Sequence, residues 1–387
     1  MSMEVKRLGD IATYINGYAF KPEDRGVEGL PIIRIQDLTG NAYDLGFYNG
    51  EYPSRIEINN GDVLISWSAS LGAYIWNRGK ALLNQHIFKV VFDKVPVDKQ
   101  YFVYAVRHKL KEMESKTHGA TMKHIVKKDF ENTLVPFPSL EKQAEIANLT
   151  QQVAGIIEAR QKELQYLDDL IKARFVEMFG DPETNPMKWG CIQLGEICDL
   201  QNGYAFKSDD YLDHSTVLNC RMSNIRPDGG FDADYHPKYL PDEYWDTYQS
   251  YRLVDGDVII AMTDMASDPK ILGVPTIVKS NGHKFLLNQR VGKLLFRDTS
   301  RMNNTYIMFF LGQAYIRKSL AKAAGGSTQI NVGKPAILSI TILEPPLQLQ
   351  DDFAHFVSQV DKSKVAIQKA LDEAQILFDS LMQQYFG

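Results

Sequence analysis

The second half of the chain restates the first. Leu8-Gly9-Asp10-Ile11 and Asn16-Gly17-Tyr18-Ala19-Phe20-Lys21 return as Leu194-Gly195-Glu196-Ile197 and Asn202-Gly203-Tyr204-Ala205-Phe206-Lys207. Gly61-Asp62-Val63 answers to Gly256-Asp257-Val258, and Leu82-Leu83-Asn84-Gln85 to Leu286-Leu287-Asn288-Gln289. Gly119-Ala120-Thr121 answers to Gly326-Ser327-Thr328, and Phe179-Gly180 to the final Phe386-Gly387. The separation widens along the chain, so the second copy carries insertions. Much of the widening falls around residues 261–281, a loop-like stretch holding Pro269, Gly273 and Pro275. A period of about 190–200 residues is too long for a solenoid unit and marks a duplicated module. Such a chain imitates a two-fold dimer while leaving each half free to diverge.

Each module divides into a mixed part and a helix. The mixed parts, 1–139 and 190–346, hold short β-rich runs bounded by turn residues. These are 30–35, 62–67 and 87–92 in the first, and 217–220, 257–262 and 291–296 in the second. Each also predicts an amphipathic helix, 101–116 and 305–323, the latter with Asn304 as N-cap. The prolines of Pro136-Phe137-Pro138 and Pro345-Pro346 end each part. The helical parts are 140–180 and 347–387. Their apolar residues fall at spacings of three, four and seven, from Ile146 to Met178 and from Phe353 to Tyr385. A helix of about 37 residues spans about 55 Å and cannot bury such a stripe alone, so each predicts the other as partner. Residues 181–189 form a linker, with Gly180 suited to end the first helix and Pro182 and Pro186 preventing its continuation. The fold class expected is therefore α+β: two tandem mixed α/β domains and two long helices packed as an antiparallel coiled coil, with pseudo-two-fold symmetry.

A length of 387 residues fits two or three domains, and 44% apolar with 24% charged residues fits an ordinary globular chain. Disorder, collagen and a disulfide scaffold are excluded. No apolar run reaches the roughly 18 residues of a membrane span, and no secretory leader is evident at Met1. Cys191, Cys198 and Cys220 lack metal-ligand spacing and read as free thiols of a reducing cytoplasm.

The formal net charge of −5 argues, taken whole, against nucleic acid. Its distribution reverses that. Segments 140–180 and 347–387 carry −2 and −3, while 1–139 carries +2 and 181–346 carries −2. Bases cluster within the modules: Lys99, Arg107, Lys109, Lys111, Lys116, Lys123, Lys127 and Lys128, then Arg301, Arg317, Lys318, Lys322 and Lys334. Lys111 matches Lys318 and Lys127 matches Lys334. A solvated helix face explains one such cluster; recurrence beside a glycine-containing loop in both copies favours phosphate contact.

Other candidates sit in loops and turns. Thr121 and His124, with Thr328, Gln329 and Asn331, belong to the matched glycine-threonine loops. His118 and His124 have no counterpart in the second copy, where Gly325 and Asn331 stand, so a duplicated catalytic role is excluded for them. Asn84, Gln85 and His86, with Asn288, Gln289 and Arg290, precede apolar strands. Asn and Gln pair bidentately with adenine and Arg with guanine; capping of backbone at a strand entrance is the equal alternative. Arg34 and Arg221 follow similar strands and either donate to DNA or pair with a carboxylate. No nucleotide cradle, zinc motif or nucleophile elbow occurs.

Three stretches resemble the specificity subunit of type I restriction–modification systems. They are Leu8 to Ile11 with Asn16 to Phe20, the run from Gly119-Ala120-Thr121 to Pro136-Phe137-Pro138-Ser139-Leu140-Glu141-Lys142-Gln143, and the linker Met178-Phe179-Gly180-Asp181-Pro182 with Asn185-Pro186 and Trp189. The likeness covers the whole chain. The second helix departs at its start, Pro345-Pro346-Leu347-Gln348-Leu349-Gln350, where the glutamate is missing. The resemblance implies two target recognition domains, each reading one half of a bipartite double-stranded DNA site, with the helices setting the unread spacer. It implies no catalysis and no cofactor or metal in this chain. Two methyltransferase subunits would bring S-adenosylmethionine for adenine methylation, and restriction subunits would bring ATP and magnesium. Two rivals stand beside it: a non-DNA interaction scaffold, separable by DNA competition, and an enzyme with an unrecognised site, separable by assay of the isolated chain.

Overall fold

The computed structural model describes residues 4–40, 45–116, 125–297 and 301–387. The chain forms two compact units. The first comprises residues 1–163 and 366–387, the second 164–365. Each long helix is thus shared: its start belongs to one unit and its end to the other.

In the first unit, the strands run Thr13–Asn16, Ile87–Val91, Val63–Ser66, Gly72–Ile75 across one antiparallel sheet. A second sheet runs Gly46–Tyr48, Leu30–Ile33, Ala81–Leu83, Glu57–Ile58, with its central pair parallel. Val5–Arg7 pairs with Leu134–Pro136. Val63–Ser66 is buried throughout because both of its faces are covered. Side chains alternate along a strand, so Val63 and Ile65 meet the helix Lys99–Lys116 side while Leu64 meets the second sheet. That is why the run reads as continuously apolar.

The second unit repeats the order: Cys198–Asn202, Val291–Phe296, Val258–Ala261, Pro275–Ile277, then Tyr239–Leu240, Val217–Cys220, Lys284–Leu287, Arg252–Leu253, and the pair Gly190–Gln193 with Thr341–Glu344. Lys89 bridges Asp62 at 2.9 Å in one unit and Lys293 bridges Asp257 at 2.6 Å in the other, so the matched Gly-Asp-Val motifs share one ion pair.

Three local expectations are corrected. The helix expected over 305–323 is two, Asn304–Leu311 and Ala314–Ala323, interrupted at Gly312, a residue that weakens helix interiors. Its cap is Asn303, whose side chain accepts from the Thr305 N–H at 2.8 Å, rather than Asn304. The stretch 261–281 is not loop throughout: it holds Thr263–Met265, paired with Gln329–Asn331, and Pro275–Ile277 on a sheet edge that tolerates proline.

The long helices are Leu140–Phe179 and Leu347–Phe386. In the second unit their segments run antiparallel, with Lys364 2.6 Å from Asp168 and Phe175 and Phe179 packed on Phe353. In the first unit Met382 and Phe386 join the core that contains Ile146 and Ala147. A fully buried glutamine fixes each helix start. Gln143 accepts from the Asp98 N–H at 3.0 Å and donates to Pro138 O at 2.9 Å. Gln350 accepts from the Asn303 N–H at 2.8 Å and donates to Pro345 O and Arg301 O. The departure at the second helix start therefore spares the anchor; the position without its glutamate is the exposed Gln348 against Glu141. Parts of the apolar stripe stay uncovered: Ile156, Leu170 and Leu377 are each about half exposed. No helix among the described residues is long and apolar enough to cross a membrane.

Candidate nucleic-acid interface

In both units the two repeated motifs dock on one another. Tyr18 N–H donates to Leu83 O at 2.8 Å, and Tyr204 N–H donates to Leu287 O at 2.9 Å. The glycine before each tyrosine lies so close that a Cβ would sit 2.1 Å from Asn84 O at Gly17 and 2.2 Å from Asn288 O at Gly203. Only glycine permits that approach. The Asn-Gln turn is thereby held rigid at the end of a sheet.

Asn84 and Asn288 are buried in this turn. Asn288 Oδ1 accepts from the Arg290 N–H at 3.1 Å, which is the backbone-capping alternative. The next two residues are exposed: Gln85 and His86 in the first unit, Gln289 and Arg290 in the second.

A short hydrogen-bond ladder then runs from this turn to the residue that follows the glycine-threonine stretch of the sequence, Ile125 in the first unit and Val332 in the second. Trp67 N–H donates to His86 O, and Ile125 N–H to Trp67 O at 3.0 Å. In the second unit Met262 N–H donates to Arg290 O at 3.0 Å, and Val332 N–H to Met262 O at 2.9 Å. Thr121, Lys123 and His124 lie outside the described residues. In the second unit the loop is described. Thr328 is exposed and its carbonyl accepts from the Ala266 N–H, while Asn331 Oδ1 accepts from the Thr263 hydroxyl at 2.6 Å. Gln329, half-buried, pairs with Met265 in the ribbon. Segments far apart in sequence thus converge at one sheet end.

The bases divide into two groups. Lys127 donates to Tyr14 O at 2.7 Å and lies 3.6 Å from Glu131. Its match Lys334 lies 2.6 Å from Asp199, holding that carboxyl below the usual carboxylate range, with the Leu200 N–H assisting. Both are tied to the first strand of the antiparallel sheet, Thr13–Asn16 or Cys198–Asn202. Lys111, Lys128, Lys318 and Lys322 are exposed and form no ion pair among the described residues. Arg34 lies 3.4 Å from the buried Asp37 carboxylate, which also caps its N–H. At Arg221 the capping residue is the neutral Asn224, so this guanidinium has no carboxylate partner among the described residues. Arg107, of the first basic cluster, is turned inward: its Nε donates to Ala73 O beneath Tyr74 and Tyr104. Sequence reading missed Asp264, whose carboxylate organises a bend. Nothing in its residue type singles it out. Among the described residues, no group of three metal-ligating side chains occurs.

The family model described as the type I restriction modification DNA specificity domain matches residues 2–167 and again 186–375. The chain belongs to this family. This specificity subunit is 27% identical to the type I restriction enzyme MjaVIII specificity subunit of Methanocaldococcus jannaschii, over 95% of this chain and 89% of that one. It is 27% identical to the putative MjaX specificity subunit of the same organism, over 95% and 90%. The fold is shared with the crystal structure of the S subunit from M. genitalium, at TM-score 0.57 and 14% identity, covering 100% and 96% of the two chains. It is shared also with a chain from a study of assembly and conformational transition of the type I system, at TM-score 0.55 and 18% identity, covering 99% and 97%. The specificity subunit accordingly carries two recognition domains, one in each unit.

Proposed function

We propose that this specificity subunit reads a bipartite double-stranded DNA site, one half-site per unit, and confers that choice on partner subunits that do the chemistry. The observation carrying the reading is the ladder that runs from the Asn-Gln turn to Ile125 in the first unit and to the matching Val332 in the second, each directly after the glycine-threonine stretch of the sequence. The turn presents exposed polar side chains of the kinds that pair with base edges, and each unit also carries exposed lysines suited to phosphates. The local basic groups grip DNA although the whole chain is acidic.

The long helices act as a spacer and as a dock. Forty residues of helix rise about 60 Å, enough to reach between half-sites one turn apart, about 34–36 Å. Ile156, Ile376 and Leu377 in the first unit, and Tyr166 and Leu170 in the second, are exposed apolar side chains that methyltransferase subunits, two in the complex, would cover. Those subunits bring S-adenosylmethionine and flip the target adenine into their own pocket. Restriction subunits bring ATP and magnesium, and the complex works on DNA in the cytoplasm.

Inserting helical residues into Leu140–Phe179 tests the spacer role. The tolerated distance between half-sites changes and the half-site sequences stay. A changed half-site with a constant spacer overturns it.

A further inference from the structure

The second unit contains a built element with no equivalent among the described residues of the first. Ser66 and Gly72 are joined by the short hairpin connection 67–71, whereas the matching strands are joined by the longer 262–274. This longer connection is not slack. Asp264 is 5% exposed, and its carboxylate accepts from the N–H groups of Met265 at 2.8 Å, Ile271 at 2.5 Å and Leu272 at 2.9 Å. One buried side chain thus ties both ends of the bend 265–270. Within it Met265, Ser267, Asp268, Pro269 and Lys270 are exposed, while Ile271 and Leu272 beyond it are buried.

The bend is attached to the candidate interface at two points. Thr263–Met265 pairs with Gln329–Asn331, and Ala266 N–H donates to Thr328 O at 3.0 Å. Met262, directly before it, is bonded to Arg290 O. The bend therefore stands beside Arg290, Thr328 and Asn331 on a two-stranded ribbon, a shape that enters a major groove. Met265, 44% exposed, is an apolar side chain displayed at a place where a thymine methyl or a base step can receive it.

We propose that the bend 265–270 is a base-reading element of the second half-site and that Asp264 is its positioning residue. This rests on the reading of the chain as a two-unit DNA reader. Asp264 touches no base itself. It fixes the path of the backbone, as a network of charge-assisted hydrogen bonds does, and so decides which bases Met265 and Lys270 reach.

The test maps methylated adenines in the host carrying the complete system, with Asp264→Asn placed in the full chain. The second half-site becomes permissive at one or more positions, with discrimination there reduced about tenfold or more, while the first half-site and the spacer are unchanged. A second variant, Met265→Ala with Lys270→Ala, alters only exposed side chains, keeps the fold and relaxes the same positions. An unchanged second half-site in the folded double variant overturns the proposal. So does an equal loss at all sequences, which assigns the bend to phosphate contact or to stability alone. If the unaltered chain confers no bipartite pattern, the reading beneath the proposal fails first, and the wild-type map shows this by itself.

Discussion

Phe386 closes the core of the first unit: its ring centroid lies 5.1 Å from that of Tyr101, and both side chains are buried. The Tyr101 hydroxyl in turn donates to Pro136 O at 2.9 Å, in the last strand before the first long helix. In the second unit Phe179 stands 4.7 Å from Tyr306, whose hydroxyl donates to Leu343 O. The last ring of each long helix thus fills the core of a unit that the helix does not start in. Phe386→Ala should cost about 3–5 kcal/mol, the usual range for emptying such a site. Amide exchange in Lys99–Lys116 should quicken, and exchange in Asn304–Leu311 should not. Equal quickening in both helices contradicts this arrangement.

Gln350 is fully buried and satisfies one N–H and two carbonyl groups. Gln350→Ala leaves them unpaired and should destabilise by about 1–3 kcal/mol in urea unfolding. Gln348→Ala removes an exposed side chain that bonds Asp352 on its own helix, and should change little. Comparable losses from both substitutions would remove the distinction between anchor and surface.

Lys318 and Lys322 are exposed, whereas Lys334 is engaged with Asp199. Replacing the first two by Ala should lower the magnitude of the salt slope of DNA binding by about 2, near 0.9 for each phosphate no longer neutralised. Lys334→Ala should leave the slope alone. A slope that ignores Lys318 and Lys322 makes their helix face merely solvated.

Thiol labelling separates the three cysteines. Cys191 is exposed, and Cys198 and Cys220 are buried. Burial pushes the Cys198 thiol up to about 12 and raises that of Cys220 as well. The thiolate is the reactive form, so alkylation of the folded chain near neutral pH should modify Cys191 alone. Modification of Cys220 at a similar rate would place it outside the core.

The duplication, the long helices and the central strands were legible because each has a periodic signature. Val63–Ser66 and Val258–Ala261 stand out as apolar runs, and the helix stripes as spacings of three and four. What could not be read was which side chains a turn consumes. Asn84 and Gln85 are neighbours of similar chemistry, yet one is buried and the other exposed, because Gly17 lets a distant strand close over the first. Lys127 and Lys128 part in the same way: only Lys127 reaches the Tyr14 carbonyl. Asp264 has the signature of a loop acid because its three partners lie in a bend whose path depends on the tertiary fold. Gln143 and Gln350 are the converse case. They match across the repeat and carry the helix anchors, and that match was the available signal.

The most direct measurement is a genome-wide map of methylated adenines in the host, with and without this gene. The account predicts a motif of two half-sites at fixed separation that disappears on deletion. A continuous motif, or a map unchanged by deletion, contradicts it.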